Sequence, residues 1–303
     1  MFEFLEKYIK RNDIGEPPYD YNFLLNLDSK KYPLYLEKIF YCETQRKLNL
    51  TRPKTFNEKI QWLKLYDCTP LKTKLTDKVL VRDWIKEKIG EEYLKPVLWI
   101  GKSFDEIPFE QLPKQFIIKA NHGSKWNYRI KDKERFLSKG ELFLMVRNNF
   151  NSWLSVSFFP WAGFELQYKD IEPRLIIEPL LLEKGTPVEY EIYCFNGEPQ
   201  IYQKVRYSLP IESCVYEKDF SISHIAFNPT YKKNIEIADN LLKKAVKLSK
   251  ILAKDFKLVR VDWLVNNDKL YFNEMTFTPF SGFYKFSSES QNLRLGKMLN
   301  LSK

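Results

Sequence analysis

The sequence predicts an α+β fold, and the order of its segments along the chain indicates this. Helical periodicity dominates residues 1 to about 95, strand-like apolar runs follow from Phe116, and a long helix and a hairpin close the chain. Helices and strands that are segregated along the chain are typical of α+β proteins. With 303 residues, of which 44% are apolar and 16% aromatic, the chain can bury a sizeable core. We therefore expect an ordered globular protein.

The N-terminal region is expected to be helical. Residues 2–10, 33–48, 55–66 and 72–89 carry apolar side chains at spacings of three to four. Thr55 and Glu58 have the spacing of a capping box, which begins a helix at this point. We expect a helical region over 1–95 and a second domain over 96–303, with subdomains at about 96–175 and 176–303.

The rest of the chain is expected to form strands around one long helix. Apolar runs predict strands over 116–120, 174–182, 189–196 and 199–207. A helix is predicted over 234–255, with an apolar stripe from Ile235 to Leu252 that includes Ile237 and Ile251. The lysines of this helix are interpreted as its solvated face.

The closing segment predicts a hairpin over 258–274 that carries a pair of carboxylates. The turn is expected at 266–268, and Asp262 and Glu274 then lie at matching depth on the two strands. Two hard oxygen donors on one face are suited to Mg²⁺, which needs one or two carboxylates in addition to substrate phosphates. This arrangement favours a nucleotide-dependent enzyme, and the alternative is two unrelated acidic residues.

Two further residues of the hairpin are expected on the same face. Arg260 alternates with Asp262, so its guanidinium can meet the charge of a phosphate in transfer. The alternative is an ion pair that only holds the sheet together. Thr276 lies two residues beyond Glu274 and can lend its hydroxyl to a metal.

A lysine and a buried glutamate are candidates for nucleotide contacts. Lys119 ends the apolar strand FIIK and precedes the small polar loop 121–127, which begins with Asn121 and His122. Such a lysine can meet a phosphate as a point charge, although it can equally extend from the strand end into solvent. Glu178 interrupts the apolar run LIIEPLLL and requires a partner, either a ribose hydroxyl, an adenine amine or Arg174.

Composition excludes several other classes of protein. Neither GxGxxG nor GxxxxGK[ST] occurs, and two histidines are too few for a multi-histidine zinc site. The net charge of +10 is spread along the chain without a nucleic-acid-binding signature. Four scattered cysteines, an N-terminus without an apolar signal core and the absence of a membrane-spanning run predict a cytoplasmic protein with reduced thiols.

Several of these segments together resemble the ATP-grasp enzymes, and more closely the TupA-like subfamily of bacterial surface-polysaccharide and teichuronopeptide biosynthesis. The resemblance covers residues 50 to 290 and rests on these segments: RPKTFNEKIQWLKLYD (52–67), KLTDKVLVRDWIKEKIGEEYL (74–94), FDEIPFEQLPKQFIIKANHGS (104–124), YCFNGEPQ (193–200) and VRVDWLVNNDKLYFNEMTFTPFSGFYKF (259–286). It implies an ATP-grasp fold in which two α+β lobes enclose ATP, preceded by a helical N-terminal region.

The resemblance also implies roles for individual residues. Lys78 and Lys119 correspond to the lysines that contact the nucleotide, and Glu178 with the backbone of Leu180 corresponds to the hinge that holds adenine and ribose. Asp262 and Glu274 correspond to the Mg²⁺ ligands. The loop positions His122, Gly123 and Ser124 complete the implied nucleotide site.

The chain departs from the family pattern at two positions. Thr276 stands where many ATP-grasp proteins have asparagine. The loop reads Gly123-Ser124-Lys125-Trp126-Asn127 in place of a glycine-rich sequence. Lys125 and Trp126 are therefore candidates to contact the phosphate or the acceptor, in a lid that is built differently.

The resemblance implies an ATP- and Mg²⁺-dependent carboxylate–amine ligase that forms an amide through an acyl phosphate. The expected substrates are a uronic-acid sugar or nucleotide-sugar and an amino acid or small amine, in capsule or cell-wall polysaccharide synthesis. Peripheral association with the polysaccharide assembly machinery is compatible with this expectation, and nucleic acid is not an expected partner. Two alternatives stay open: a glycosyltransferase, although no obvious DxD motif occurs, and a non-catalytic protein that binds a polyanion.

Overall fold

The protein folds around two β-sheets with helices packed against them. The computed structural model describes residues 20–161, 163–181, 188–234 and 236–302. The helix expected over 2–10 lies outside these residues. In the described part of the chain, no helix has the length and apolar character needed to cross a membrane. The mixture of helices and sheets confirms the α+β prediction.

The N-terminal region is helical, as predicted. Its helices are α1 (Tyr21–Leu25), α2 (Tyr32–Thr44), α3 (Phe56–Tyr66), α4 (Pro70–Thr76) and α5 (Val81–Ile89). The capping box before α3 is confirmed, because the Thr55 hydroxyl accepts from the backbone N–H of Glu58 and the Glu58 carboxylate accepts from the N–H of Thr55.

A single helix over 72–89 was the wrong prediction, because the chain breaks between α4 and α5. Asp77 accepts hydrogen bonds from the backbone N–H groups of Val79 and Leu80, at 2.7 and 3.3 Å. A side chain that binds nearby N–H groups competes with the helical hydrogen bonds and ends the helix. Lys78 consequently lies in the connection between the two helices rather than on a helix face.

The first sheet is antiparallel and has the order β1-β4-β2-β3. Its strands are β1 (Trp99–Gly101), β2 (Phe116–Ala120), β3 (Asn127–Ile130) and β4 (Leu175–Pro179). Helices α6 (Lys133–Ser138) and α7 (Gly140–Leu154) accompany this sheet, and Phe104, Phe116 and Phe150 are fully buried in their common core.

The second sheet has six strands in the order β10-β9-β5-β6-β7-β8. They are β5 (Val188–Phe195), β6 (Glu198–Arg206), β7 (Glu212–Glu217), β8 (Lys232–Lys233), β9 (Leu258–Asn266) and β10 (Lys269–Thr276). Helix α8 (Asn240–Ala253) packs against this sheet, with Leu242, Ala245 and Leu252 in the core, and helix α9 (Glu289–Met298) packs against α3. The division of the chain into a helical region and two subdomains stays a prediction. Strand β4, which lies at the expected boundary between the subdomains, pairs within the first sheet.

Helix α8 begins later than the 234–255 prediction. Asp239 caps it by accepting from the backbone N–H of Leu242 at 2.7 Å, so the helix starts at Asn240. Ile237, which the predicted core stripe included, lies before this cap and is 93% exposed, and Ile251 is also exposed. Ile235 lies outside the described residues. Apolar residues keep a helical spacing in the sequence before Asp239, but the cap starts the helix only after that residue.

The hairpin β9–β10 closes through a two-residue turn at Asn267 and Asp268, whose φ angles are 49° and 54°. A bulge then shifts the register between Phe272 and Glu274, with Phe272 opposite Trp263 and Glu274 opposite Asp262. In an unbroken ladder, Asn273 would lie opposite Asp262 and Glu274 would point to the other face. The expected pairing of Asp262 with Glu274 is therefore confirmed, and the bulge is its structural cause.

Candidate active site

Three carboxylates lie in one row across the second sheet. Asp262 on β9 is directly opposite Glu274 on β10 and opposite Glu191 on β5. Asp262 is 1% exposed and Glu191 is 9% exposed, whereas Glu274 is half-buried. Neighbouring strands in a sheet are about 4.8 Å apart, so these groups repel one another unless cations lie among them.

Arg260 is one such cation. Its Nε and Nη2 atoms donate to Oδ1 and Oδ2 of Asp262, both at 2.7 Å. Its guanidinium nitrogens also lie 3.8 Å from a carboxylate oxygen of Glu191 and 3.8 Å from one of Glu274. Burial alone would lower the pKa of Arg260, but the charges of Asp262 and Glu191 outweigh it and raise that pKa, so the guanidinium stays charged. The ion pair that the sequence left as an alternative is present, and it lies within the carboxylate row.

The donor set suits a hard divalent cation. Asp262 and Glu274 supply carboxylate oxygens, and each oxygen bound to Arg260 keeps a second lone pair. The hydroxyl of Thr276 lies 3.5 Å from Asp262 Oδ2 and 3.4 Å from Glu274 Oε1, which places it in the same group. Within the described ranges, no three His, Cys, Asp or Glu side chains converge as a complete metal site. Mg²⁺ does not require such a cage, because phosphate and water oxygens complete its shell.

A second charged cluster surrounds Glu178, which is 5% exposed on β4. Its carboxylate lies 2.8 Å from Nζ of Lys119 and 2.8 Å from Nζ of Lys95, and 3.4 Å from Nη1 of Arg82. Arg174, the partner considered from the sequence, instead pairs with Asp77 at 3.0 Å.

The cations decide the ionisation of Glu178. Burial favours the neutral acid, but the attraction of Lys119 and Lys95 outweighs it and holds the pKa of Glu178 below its ordinary range. Burial and the charge of Lys119 lower the pKa of Lys95 to about 8, although Glu178 opposes both. For Lys119 the attraction of Glu178 outweighs burial, and the pKa is raised. The cluster is therefore ionised at neutral pH and carries a net positive charge.

A narrow cleft lies between the two sheets, beside the Glu178 cluster. Its lining comes from both sheets and from the start of α5: Lys78, Val81, Arg82, Lys119, Ile176, Glu178, Phe272 and Asn273. Lys78 and Lys119 both lower the pKa of Glu274 against the effect of its burial. Glu274 directly follows the lining residue Asn273 along β10, and its carboxylate lies within electrostatic reach of these two lysines.

Lys78 is attached to the loop after β2. Its ammonium group donates to the carbonyl oxygen of Gly123 at 2.6 Å, and its backbone N–H donates to the carbonyl of Asn121 at 3.4 Å. The sequence singled out both Lys78 and this loop, and the structure brings them together. The connection that ends α4 therefore supports the loop beside the cleft.

The histidine of this loop has its ring nitrogens engaged within the protein. His122 is 1% exposed, with Nδ1 3.1 Å from Oδ1 of Asn121 and Nε2 2.9 Å from the carbonyl oxygen of Trp153. Burial lowers the pKa of the imidazole. The ring faces α7, and its placement favours a role in holding the loop, while a nucleotide contact stays a prediction.

Trp126 fixes the loop from its other end. Its ring stacks on Trp153 with centroids 5.7 Å apart and planes 5° apart, and it meets the rings of His122 and Phe158 at 5.2 Å each. A Cβ atom at Gly123 would lie 2.3 Å from the Trp126 ring, so this position requires glycine. Ser124 and Lys125 are exposed at the tip. The loop is built around an aromatic anchor rather than around several glycines.

Leu180 follows β4 directly and is half-buried. The neighbouring residues 182–187 lie outside the described part of the chain. Its backbone contact with a nucleotide stays a prediction.

Several polar and charged residues in or near the cleft were not singled out from the sequence, namely Arg82, Lys95, Glu189, Glu191 and Asn273. Glu189 accepts from the hydroxyl of Tyr207 at 2.5 Å and from Nδ2 of Asn273 at 2.8 Å. The alternation of Glu189 and Glu191 in the strand EYEIYCF was an available signal, because it puts both on one face. Arg82 and Lys95 gave no such signal, since their relation to Glu178 depends on tertiary packing.

Comparison with known proteins identifies the family. The family model described as TupA-like ATPgrasp matches residues 58–300. No curated protein matches the sequence. Among solved structures, the chain is similar to D-alanine–D-alanine ligase from Helicobacter pylori, with 15% identity over 81% of this chain and 69% of that chain and a TM-score of 0.43.

Two other similar structures are shorter matches. D-alanine–D-alanine ligase from Bacillus anthracis has 16% identity over 67% of this chain and 57% of that chain, with a TM-score of 0.38. The ATP-grasp ligase PsnB, in complex with a phosphomimetic precursor variant, Mg and ADP, has 11% identity over 75% and 60%, with a TM-score of 0.40. This chain spans less than two thirds of the length of those two proteins. On the match over residues 58–300, the chain belongs to the TupA-like ATP-grasp family.

Proposed function

We propose that this protein is an ATP- and Mg²⁺-dependent ligase that joins a carboxylate to an amine, with release of ADP and phosphate. Family membership supports ATP as the nucleotide. PsnB bound to Mg and ADP, and the Bacillus anthracis ligase bound to ATP, are similar structures whose ligands agree with this proposal. A cytoplasmic location, where ATP is available, is part of the proposal.

The opposition of charges across the cleft is the observation that carries the proposal. Lys78 and Lys119 line the cleft, and Glu274, which follows the lining residues Phe272 and Asn273 along β10, lies within their electrostatic reach. A triphosphate in this cleft would meet ammonium groups on one side and a metal-binding carboxylate pair on the other. Phosphoryl transfer depends mainly on such positioning and charge stabilisation.

In this proposal, separate residues bind the nucleotide and the metal. Lys78 and Lys119 bind phosphate oxygens, and Glu178 together with the backbone at Leu180 holds the base and ribose. Asp262 and Glu274 hold Mg²⁺, with Thr276 beside them. When bound, the metal neutralises phosphate charge and aligns the transferring group.

Arg260 stabilises the charge that develops during transfer. Its guanidinium is fixed by two hydrogen bonds to Asp262, so little reorganisation is needed when the reacting group arrives. His122, Gly123 and Ser124 shape the loop over the phosphates, with Gly123 attached to Lys78 through its carbonyl oxygen.

The substrates follow from the family resemblance. We infer a uronic-acid sugar, free or nucleotide-linked, as the carboxylate and an amino acid or small amine as the nucleophile, in capsule or cell-wall polysaccharide synthesis. The carboxylate takes the terminal phosphoryl group of ATP, and the amine then displaces phosphate and loses a proton as the amide bond forms. The net charge of +10 suits an anionic acceptor.

The test is ADP release from Mg-ATP across a panel of uronic acids and UDP-uronic acids crossed with amino acids and small amines, followed by product mass. We expect ADP formation that requires both partners and a product lighter than their sum by one water. A transfer of sugar from the UDP-sugar without ADP formation would instead support the glycosyltransferase. Binding to anionic polymer that weakens steeply with salt and ignores ATP would support the polyanion-binding alternative.

A further inference from the structure

Helix α3 presents a buried polar stripe, which is unusual for a helix packed in a core. Asn57, Gln61 and Lys64 are 3%, 0% and 1% exposed. Their spacing of four and three residues places them on one face of the helix. Buried polar side chains need partners within the protein. The hydrogen-bond partners of the Asn57 and Gln61 side chains lie on a single segment of the chain, residues 278–284.

The first two residues of the stripe bind the backbone of that segment. Asn57 Nδ2 donates to the carbonyl of Tyr284 at 2.9 Å, and the N–H of Tyr284 donates back to Asn57 Oδ1 at 3.1 Å. Gln61 Nε2 donates to the carbonyls of Ser281 and Gly282 at 2.9 and 3.0 Å. The amide oxygen of Gln61 has no hydrogen-bond partner among the described residues, so this contact is kept at some energetic cost.

Lys64 acts near the end of the segment and, through Glu165, at its start. Its ammonium lies 4.6 Å from the ring centroid of Phe283 and is attracted by the buried carboxylate of Glu165. Glu165 accepts a hydrogen bond from the hydroxyl of Thr278, which also accepts from Nε2 of Gln167 at 2.7 Å. The segment is thereby held at both ends and at its turn.

The segment needs this support because its backbone is strained. Phe280, Ser281 and Gly282 follow one another with φ angles of 49°, 52° and 68°. Left-handed conformations at non-glycine residues persist only where the surroundings fix them. A Cβ atom at Gly282 would lie 2.4 Å from Gln61 Nε2 and 2.8 Å from Ile60, so α3 approaches the turn as closely as glycine permits.

The position of the turn relative to β10 indicates what it faces. Along β10, Phe272 and Asn273 line the nucleotide cleft, Glu274 and Thr276 belong to the carboxylate group, and the turn begins two residues later. The order along the strand is therefore nucleotide, metal, turn. Along the chain the turn thus lies beyond the carboxylate pair, on the side away from the residues that line the cleft.

We propose that Asn57, Gln61 and Lys64 are positioning residues that hold the 278–284 turn as the wall of the acceptor site. This role deepens the proposed ligase function and rests on it. It also gives a reason for the segment RPKTFNEKIQWLKLYD, which contains all three residues. The acceptor is the carboxylate substrate, and the turn fixes its carboxyl group against the terminal phosphate of ATP.

The test compares Gln61→Met with Gln291→Met. Methionine keeps the length of the side chain and removes the two donated hydrogen bonds. Gln291 on α9 is a matched control, because its amide donates to the carbonyl of His224 at 2.9 Å and so holds a different loop. The measurements are hydrogen exchange of the amides in 278–284, Mg-ATP affinity by calorimetry, and KM for the uronic acid that is active in the panel.

For Gln61→Met we expect exchange in 278–284 to accelerate by about tenfold or more, because hydrogen bonds that hold the turn are lost. KM for the uronic acid should rise about tenfold, while Mg-ATP affinity stays as in the wild type. Gln291→Met should change none of the three. Unchanged exchange in Gln61→Met would overturn the proposed positioning role, and so would a parallel loss of Mg-ATP affinity. A wild type that does not turn over ATP would overturn the proposed function instead, and the exchange result would be unaffected.

Discussion

Arg260 is bound to Asp262 through two parallel hydrogen bonds and lies close to Glu191 and Glu274. A guanidinium can satisfy this geometry because its donors form a planar fork, whereas an ammonium is a point charge. The same side chain balances the carboxylate row in the folded protein and is placed to meet phosphate charge in the proposed reaction.

We predict that Arg260→Lys lowers kcat by about 100-fold, the loss typical for one preorganised charge-stabilising donor group. The unfolding midpoint should fall, because the buried Asp262 carboxylate loses one of its two hydrogen bonds, but the protein should stay folded because the positive charge is kept. The measurement is steady-state ADP release together with thermal unfolding. Arg294→Lys is the matched control, since Arg294 makes a similar two-bond pair with Glu217 at 2.9 and 2.7 Å at an exposed site. Equal activity of Arg260→Lys and the wild type would contradict the role of Arg260.

At the scale of elements, Glu178 joins parts of the chain that are distant in sequence. Lys119 comes from β2, Arg82 from α5 and Lys95 from the connection that follows it. The pKa of Glu178 is depressed in the folded state, so its stabilising contribution is complete above the ordinary glutamate pKa of about 4.3. That contribution is lost as the pH falls through the folded-state pKa.

We predict that Glu178→Gln lowers the free energy of unfolding by about 3 kcal/mol at pH 7, because it leaves buried cations without their counter-ion. The difference from the wild type should narrow as the pH falls below about 4.3, where the wild-type carboxylate begins to lose its advantage. Urea denaturation at pH 7 and at pH 3 measures both values. Glu172→Gln, at an exposed ion pair with Lys102, is the control and should change little. A difference that persists unchanged at pH 3 would contradict this account.

Elements whose signals are local could be predicted from the sequence. The capping box of α3, the strand FIIKA and the place of the hairpin turn depend on neighbouring residues and agree with the structure, although the turn is one residue shorter than the predicted 266–268. The break between α4 and α5 was missed because Asp77 ends the helix through a side-chain contact that the apolar periodicity does not reveal. The late start of α8 has the same cause at Asp239.

The site likewise has features that the sequence reveals and others that depend on tertiary packing. Arg260 and Asp262 share a face because of strand periodicity, which the sequence reveals. Glu274 joins them only through the bulge after Phe272, which the sequence does not reveal. Glu178 was correctly expected to need a partner, but its identity depended on the packing of α5 and β2 against β4. Three cations bind it, and Arg174 is engaged with Asp77.

For the whole molecule, the charge distribution is the property that matters most for function. The chain carries a net charge of +10, yet the second sheet carries a row of three carboxylates. A polyanion would be repelled by that row, whereas a nucleotide that brings Mg²⁺ would bridge it to Lys78 and Lys119 on the facing wall. The two sheets thus form complementary halves of one proposed nucleotide site.

Calorimetric titration of Mg-ATP into the wild type and Glu274→Gln tests the central proposal most directly. Glu274 is more exposed than Asp262 and lies 3.8 Å from Arg260, so its replacement disturbs the fold least. Glu141→Gln, the same change at an exposed position of α7, is the control. We predict that the wild type and the control bind ATP in a Mg²⁺-dependent manner, and that Glu274→Gln weakens binding about tenfold or more. Equal affinity in all three proteins, or no binding by the wild type, would contradict the account.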